Sequence, residues 1–192
     1  MIKFYTNQEL SNAFDINLAR WKRWSREFLP PDPLGGLQSG YARQYNADQA
    51  FTVYLGGFLV GDLRFTIPEA RTILRDLGDW LAEHRFYFNY TRDEQPAGEN
   101  SHEIEYYQIV IIRVAGAQDA DPGFSYVARG VISDGLRQTS GIPVRQKRFV
   151  ESTMNDESKA APIKTAASYR VLNISVLHNR FLTSLDNPGV VV

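Results

Sequence analysis

The sequence predicts a mixed α+β fold, with a helical N-terminal part followed by a small β-rich part. Three features carry that expectation. Residues 1–85 hold four amphipathic patterns at helical spacing, each with a plausible capping residue at its start. Residues 91–102 are polar and include Pro96 and Gly98, which marks a loop or linker. From residue 104 onward the chain turns to runs of β-branched and aromatic residues, the composition of strands.

The helical elements follow in order. Thr6 and Glu9 have the spacing of a capping box, and Leu10, Ala13 and Phe14 continue at helical spacing. After a turn through Asp15 and Ile16, Asn17 caps a second helix expected over 17–28. Leu18, Trp21, Trp24 and Phe28 form roughly one apolar stripe on it, while Arg20, Lys22, Arg23 and Arg26 take the other faces. Pro30, Pro31 and Pro33 stop it. Residues 34–45 carry Gly35, Gly36 and the turn signal Ser39-Gly40, which reads as a short hairpin or wing. A third helix starts at Asn46 or Asp48, with Ala47, Ala50, Phe51, Tyr54, Leu55 and Phe58 inward. Gly56 and Gly57 inside it cost about 2 kcal/mol against alanines, so close helix packing is expected there. Thr66 caps a fourth helix with Pro68 in its first turn and Glu69 completing the box. Its stripe is Ile73, Leu74, Leu77, Trp80 and Leu81, and it should end near His84 and Arg85.

In the second part, residues 104–114 are almost continuously apolar and predict a central strand covered on both faces. Further strands are expected over 124–132, 144–153 and 169–177, with turn signals at 121–123 and 140–143. Residues 155–164 are polar and read as a loop, and 177–185 is open to a short helix.

Totals narrow the function classes. The chain has 192 residues, 43% hydrophobic, and a formal net charge of −1, so a nucleic-acid site must be a local patch rather than a global field. Residues 1–85 hold ten Lys and Arg against ten Asp and Glu. Cysteine is absent, which removes disulfides, thiolate metal sites and thiol redox sensing. The first residues are too polar for a signal peptide, and the longest apolar run, 109–112, is far short of the ~20 residues a membrane helix needs. A cytoplasmic protein without membrane contact is expected.

The chemistry-bearing residues are the cations of the second helix and the turn that follows. A cationic helix face is often only a solvated face. Here Tyr41, Arg43 and Tyr45 follow at wing distance, so a helix for the major groove and a second element for the backbone stand side by side. Trp24 and Phe28 read as core; Trp21 is open to either role. His102, Glu103 and Glu105 do not make a metal set, since a strand puts His102 and Glu105 on opposite faces. No Gly-x-Ser-x-Gly elbow, phosphate loop or Gly-x-Gly-x-x-Gly is present. Tyr106, Tyr107, Phe124 and Tyr126 are open to lining a pocket, but aromatics in strands ordinarily form cross-strand pairs. No enzymatic activity and no cofactor are expected.

With these residues in place, the first eighty or so residues resemble the DNA-binding domain of the MerR (mercury-resistance regulator) family. The matching runs are 5–10, 18–21, 29–31, Ser39-Gly40-Tyr41 with Arg43 and Tyr45, 46–48, and 63–66 with Glu69. Lys22 and Arg23 stand where members carry Tyr and Glu, Ala42 is an extra wing residue, and the long dimerising coiled coil is not visible. The resemblance implies a winged helix-turn-helix over 1–85, a linker over 86–102, and a dimerisation, partner or effector domain over 103–192. It implies double-stranded DNA as partner, with Asn17, Arg20, Trp21, Lys22, Arg23, Tyr41, Arg43 and Tyr45 as contacts. The expected function is a DNA-binding transcription regulator acting as a dimer. The alternative is an excisionase- or segregation-like architectural protein that recruits a partner through its β-rich part.

Overall fold

Residues 3–32, 42–87, 104–114, 123–154, 166 and 168–186 are described by the computed structural model. Among them are five helices and two antiparallel sheets, a mixed α+β architecture. The chain divides into two units. One holds residues 1–91 and 177–192, the other residues 92–176. No helix among the described residues is long and apolar enough to cross a membrane.

The helical unit opens with β1 (Tyr5–Thr6) and α1 (Asn7–Ala13), then α2 (Leu18–Phe28), β2 (Gln44–Tyr45), α3 (Ala47–Gly61) and α4 (Ile67–Glu83). Each helix starts where the sequence expects it, because the cap side chain satisfies amides the helix leaves free. Thr6, Asn46 and Thr66 each form a capping box with Glu9, Gln49 and Glu69, and Asn17 accepts from the amides of Ala19 and Arg20. β1 pairs with β2, setting Tyr5 opposite Tyr45. The rest of the expected wing hairpin, from Pro33 to Tyr41, lies outside the described residues.

α2 and α3 pack against each other at the paired glycines. A Cβ at Gly56 would lie 2.5 Å from the Phe28 ring, and one at Gly57 would meet the Trp24 indole at still shorter range. The two rings occupy the space that side chains would need, which explains glycines inside a helix.

The strand expected over 169–177 is shorter. β6 (Tyr169–Leu172) ends at Asn173, whose side chain accepts from the Val176 amide and starts α5 (Ile174–Asp186). From Leu177 onward this helix belongs to the helical unit, so the expected second part over 103–192 ends too late. Aromatic packing is the reason. Phe181 is fully buried, with ring centroids 5.3 Å from Phe14, 5.1 Å from Phe51 and 5.7 Å from Tyr54. His178 sits edge-on between Phe51 and Phe86.

The sheet unit contains β3 (Tyr106–Arg113), β4 (Phe124–Thr139), β5 (Ile142–Thr153) and β6, in the order β5-β4-β3-β6, all antiparallel. β3 is an inner strand, as its apolar run predicts, with Ile109, Val110, Ile111 and Ile112 all buried. β4 and β5 are longer than expected. β3 stops pairing at Tyr106 opposite Val131, while β4 and β5 continue as a two-stranded ribbon from Ser133 and Arg148 to the turn. Ser140 (φ 54°) and Gly141 (φ 79°) make that turn, both left-handed, as the tight primed turn of a twisted hairpin requires.

Candidate nucleic-acid interface

α2 has two chemically distinct sides. Trp21 and Ser25 are buried, with Leu18, Trp24 and Phe28 partly covered beside them. At three- and four-residue spacing, Ala19, Lys22, Arg23 and Arg26 make the opposite, exposed stripe. The only carboxylate of α2, Glu27, is held by α4: Arg71 donates through Nε to the Glu27 carbonyl at 2.7 Å and through Nη2 to its carboxylate. The outer stripe therefore presents three cations and no acid.

A groove runs along each flank of this stripe. One, of about 1150 Å³, lies between α2 and the start of α1 and β2, and takes in Lys22, Arg26, Gln8, Arg43 and Asp32. The other, of about 700 Å³, takes in Arg20, Arg23, Arg64, Arg180 and Asp62, with Trp24 and Phe58 in its wall. Among the described residues, none of Arg20, Lys22, Arg23, Arg26, Arg64 and Arg180 is engaged in a salt bridge. Arg20 lies over the Trp24 ring at 6.0 Å, a contact that leaves its charge uncompensated. Arg64 occupies the turn between α3 and α4 with φ 58°, and Asp15, in the turn before α2, has φ 50°. Such conformations are uncommon for residues other than glycine and persist where the surroundings fix them. Here Ser11 Oγ donates to the Ile16 carbonyl at 2.6 Å, and the Phe65 amide donates to the Leu59 carbonyl at 3.0 Å.

The expected contact residues fall into three groups. Arg20, Lys22 and Arg23 are exposed on α2. Asn17 is also exposed, but its side-chain oxygen accepts the capping bonds, so only its amide hydrogens are available outward. Arg43 lies at the groove edge. Its Nη2 donates to the Pro30 carbonyl at 3.0 Å and its guanidinium lies 5.5 Å from the Tyr45 ring centre, so it also ties β2 to the end of α2.

Two expected contacts are core residues instead. Trp21 is fully buried, stacked on Phe14 at 5.7 Å and edge-on to Tyr45 at 6.1 Å, because its position on α2 is opposite the cationic stripe. Tyr45 is also buried, and its hydroxyl donates to Asn7 Oδ1 at 2.6 Å while sharing a 2.8 Å bond with Ser25 Oγ. Burial pushes its phenol above the ordinary value. Tyr41 lies outside the described residues.

Arg26, Arg64 and Arg180 extend the set beyond the expected contacts. Arg26 is legible in the sequence as the helical continuation of Lys22 and Arg23. Arg180 comes from α5 and has no local signal, since only the burial of Phe181 beside it brings it to the groove. Neither models of known protein families nor curated proteins give a match to this chain.

Proposed function

We propose that the helical unit binds duplex DNA, with the outer stripe of α2 entering the major groove and the flanking cations meeting phosphates. The observation that carries this reading is the acid-free stripe of Lys22, Arg23 and Arg26, bordered on both flanks by further cations. An eleven-residue helix is roughly 16 Å long, enough to place two turns against base edges in a groove about 12 Å wide. Arg43 beside β2 and Arg64 in the α3–α4 turn then serve as backbone grips, which fix register without reading sequence. In this reading the unit is a winged helix-turn-helix similar to that of MerR-type regulators, and the protein is a transcription regulator. A single helix reads few bases, so useful affinity calls for two copies on two half-sites.

The test is selection of binding sites from random duplexes by the full chain at two salt concentrations, repeated with K22E/R26E. The expected result is enrichment of a short motif, a steep loss of affinity with salt, and loss of binding in the variant with thermal stability retained. Equal binding by wild type and variant would overturn the assignment to α2.

A further inference from the structure

The ribbon formed by Ser133 to Thr139 of β4 and Ile142 to Arg148 of β5 extends past the last pairing of β3, so no third strand supports it. It is exposed on both faces through most of its length. Leu136, Ile142 and Val144 are 75%, 65% and 45% exposed, an unusual display for aliphatic side chains on a projecting element. A two-stranded ribbon is at best marginally stable alone, yet this one is braced at its root. Asp134 accepts from Arg145 Nε at 2.7 Å and Nη2 at 2.8 Å, from the Tyr106 hydroxyl at 2.9 Å, and lies 3.1 Å from Lys147 Nζ. The Arg145 guanidinium, first among these, holds the Asp134 carboxyl below the usual carboxylate range.

Cross-strand register sorts the side chains onto two faces. Asp134 faces Lys147 and Leu136 faces Arg145, so one face carries the braced network. Ser133 faces Arg148 and Arg137 faces Val144, and the same face ends at Ile142 beside the turn. No carboxylate pairs with Arg137 or Arg148 among the described residues. The ribbon as a whole has four cations and one acid, a balance that opposes stacking against a second copy of itself and favours a polyanion.

We propose that this ribbon is a second DNA-binding element: its Arg137 and Arg148 face follows the phosphates bordering a minor groove, and Ile142 at the tip of that face wedges against the bases. Arg148 at the root and Arg137 near the tip lie on one face with Ile142, and a cationic face that ends in an exposed apolar tip is the chemistry of groove-inserting arms, which trade base unstacking for a bent duplex. At about 3.3 Å per residue the seven residues from Ser133 to Thr139 reach roughly 20 Å, enough to span a groove. The proposal deepens the DNA-binding reading by assigning the sheet unit a grip of its own, independent of α2.

Anisotropy of fluorescein-labelled duplexes with the full chain at 50 and 200 mM salt tests it, with end-to-end energy transfer reporting bend. R137Q/R148Q should weaken binding roughly tenfold at low salt and lower the salt slope by about 2, while I142S should reduce the bend. Thermal stability should be unchanged, because these side chains are exposed. Wild-type affinity, slope and bend in both ribbon variants, with binding lost in K22E/R26E, would overturn the ribbon and leave α2 standing. Loss in the ribbon variants with K22E/R26E unaffected would support the ribbon and overturn the α2 reading. Conversion of a sedimenting dimer to monomer by R137Q/R148Q, with affinity per protomer kept, would reassign the ribbon to a second copy.

Discussion

Gly57 of α3 lies directly beneath the indole of Trp24 in α2, so that a methyl group on Gly57 would collide with the ring. Alanine is ordinarily better than glycine inside a helix by about 1 kcal/mol. Here overpacking reverses the sign, at a cost of about 1–3 kcal/mol. G57A is therefore expected to lower the melting temperature. G78A is the control: Gly78 is inside α4, and a methyl group there would have open space for 4 Å around it, so alanine should stabilise by up to about 1 kcal/mol. Thermal unfolding of the two variants side by side decides the point; a stabilised G57A would mean that α2 moves away from α3 without cost.

Phe181 anchors α5 through ring contacts with Phe14, Phe51 and Tyr54. Truncation of a fully buried phenylalanine costs about 3–5 kcal/mol. F181A should unfold at lower denaturant concentration and expose 177–186 to limited proteolysis before the rest of the helical unit. Unchanged protection of that segment would show that α5 is held by something other than this ring.

Much of the helical unit is legible in the sequence because its signals are local. Caps at Thr6 and Thr66 are read from a side chain and the Glu three positions on, while Asn17, and Asn46 or Asp48, are read from the side chain alone. The tight packing at Gly56 and Gly57 is legible because two glycines inside a helix require a neighbour close enough to forbid side chains. The role of Trp21 is not, because an indole next to cations suits both a core and a sugar-phosphate contact; only the placement of Tyr45 and Phe14 around it settles which side of α2 faces in. The end of the last strand escapes the sequence for a related reason. Residues 169–177 alternate well enough for a strand, and the weak cap signal of Asn173 is outweighed until Phe181 has a pocket to fill. The cationic groove containing Arg180 depends on that same packing and has no local trace.

His84 and His178 are both held below the ordinary imidazole value of 6.5, in each case chiefly by burial. His84 stacks on Trp80 at 4.0 Å, and His178 lies between Phe51 and Phe86. The native state thus prefers the neutral rings. The stability this preference gives is fully present above pH 6.5 and is lost as pH falls through the depressed native values. Denaturation midpoints should drop as pH falls below about 6.5, and H178Q should flatten part of that drop. A pH profile identical in wild type and H178Q would mean that His178 charges in place without penalty.

The Tyr45 hydroxyl links Asn7 of α1 to Ser25 of α2 beneath the candidate interface. Y45F removes it and leaves the buried Ser25 hydroxyl and the half-buried Asn7 side chain short of a partner, a loss of about 1–3 kcal/mol. Because the ring stays in place, DNA affinity at a temperature well below unfolding should be unchanged. A large affinity loss in a folded Y45F would return Tyr45 to the surface role that its position in the sequence suggests.

Arg64 and Arg180 separate gripping from reading. Both line the groove on the Arg20 side of α2, outside the outer stripe of that helix. If they neutralise phosphates, R64Q and R180Q should each weaken binding by a similar factor on every duplex and lower the salt slope by about 1. The selected motif should stay the same, since phosphate contacts carry no base information. Substitutions in the stripe itself, such as R23Q, should instead change which duplexes are enriched. Site selection with the three single variants measures both properties at once. A motif altered by R180Q and left intact by R23Q would mean that the reading surface is the α5 side of the groove, and that α2 only supports it.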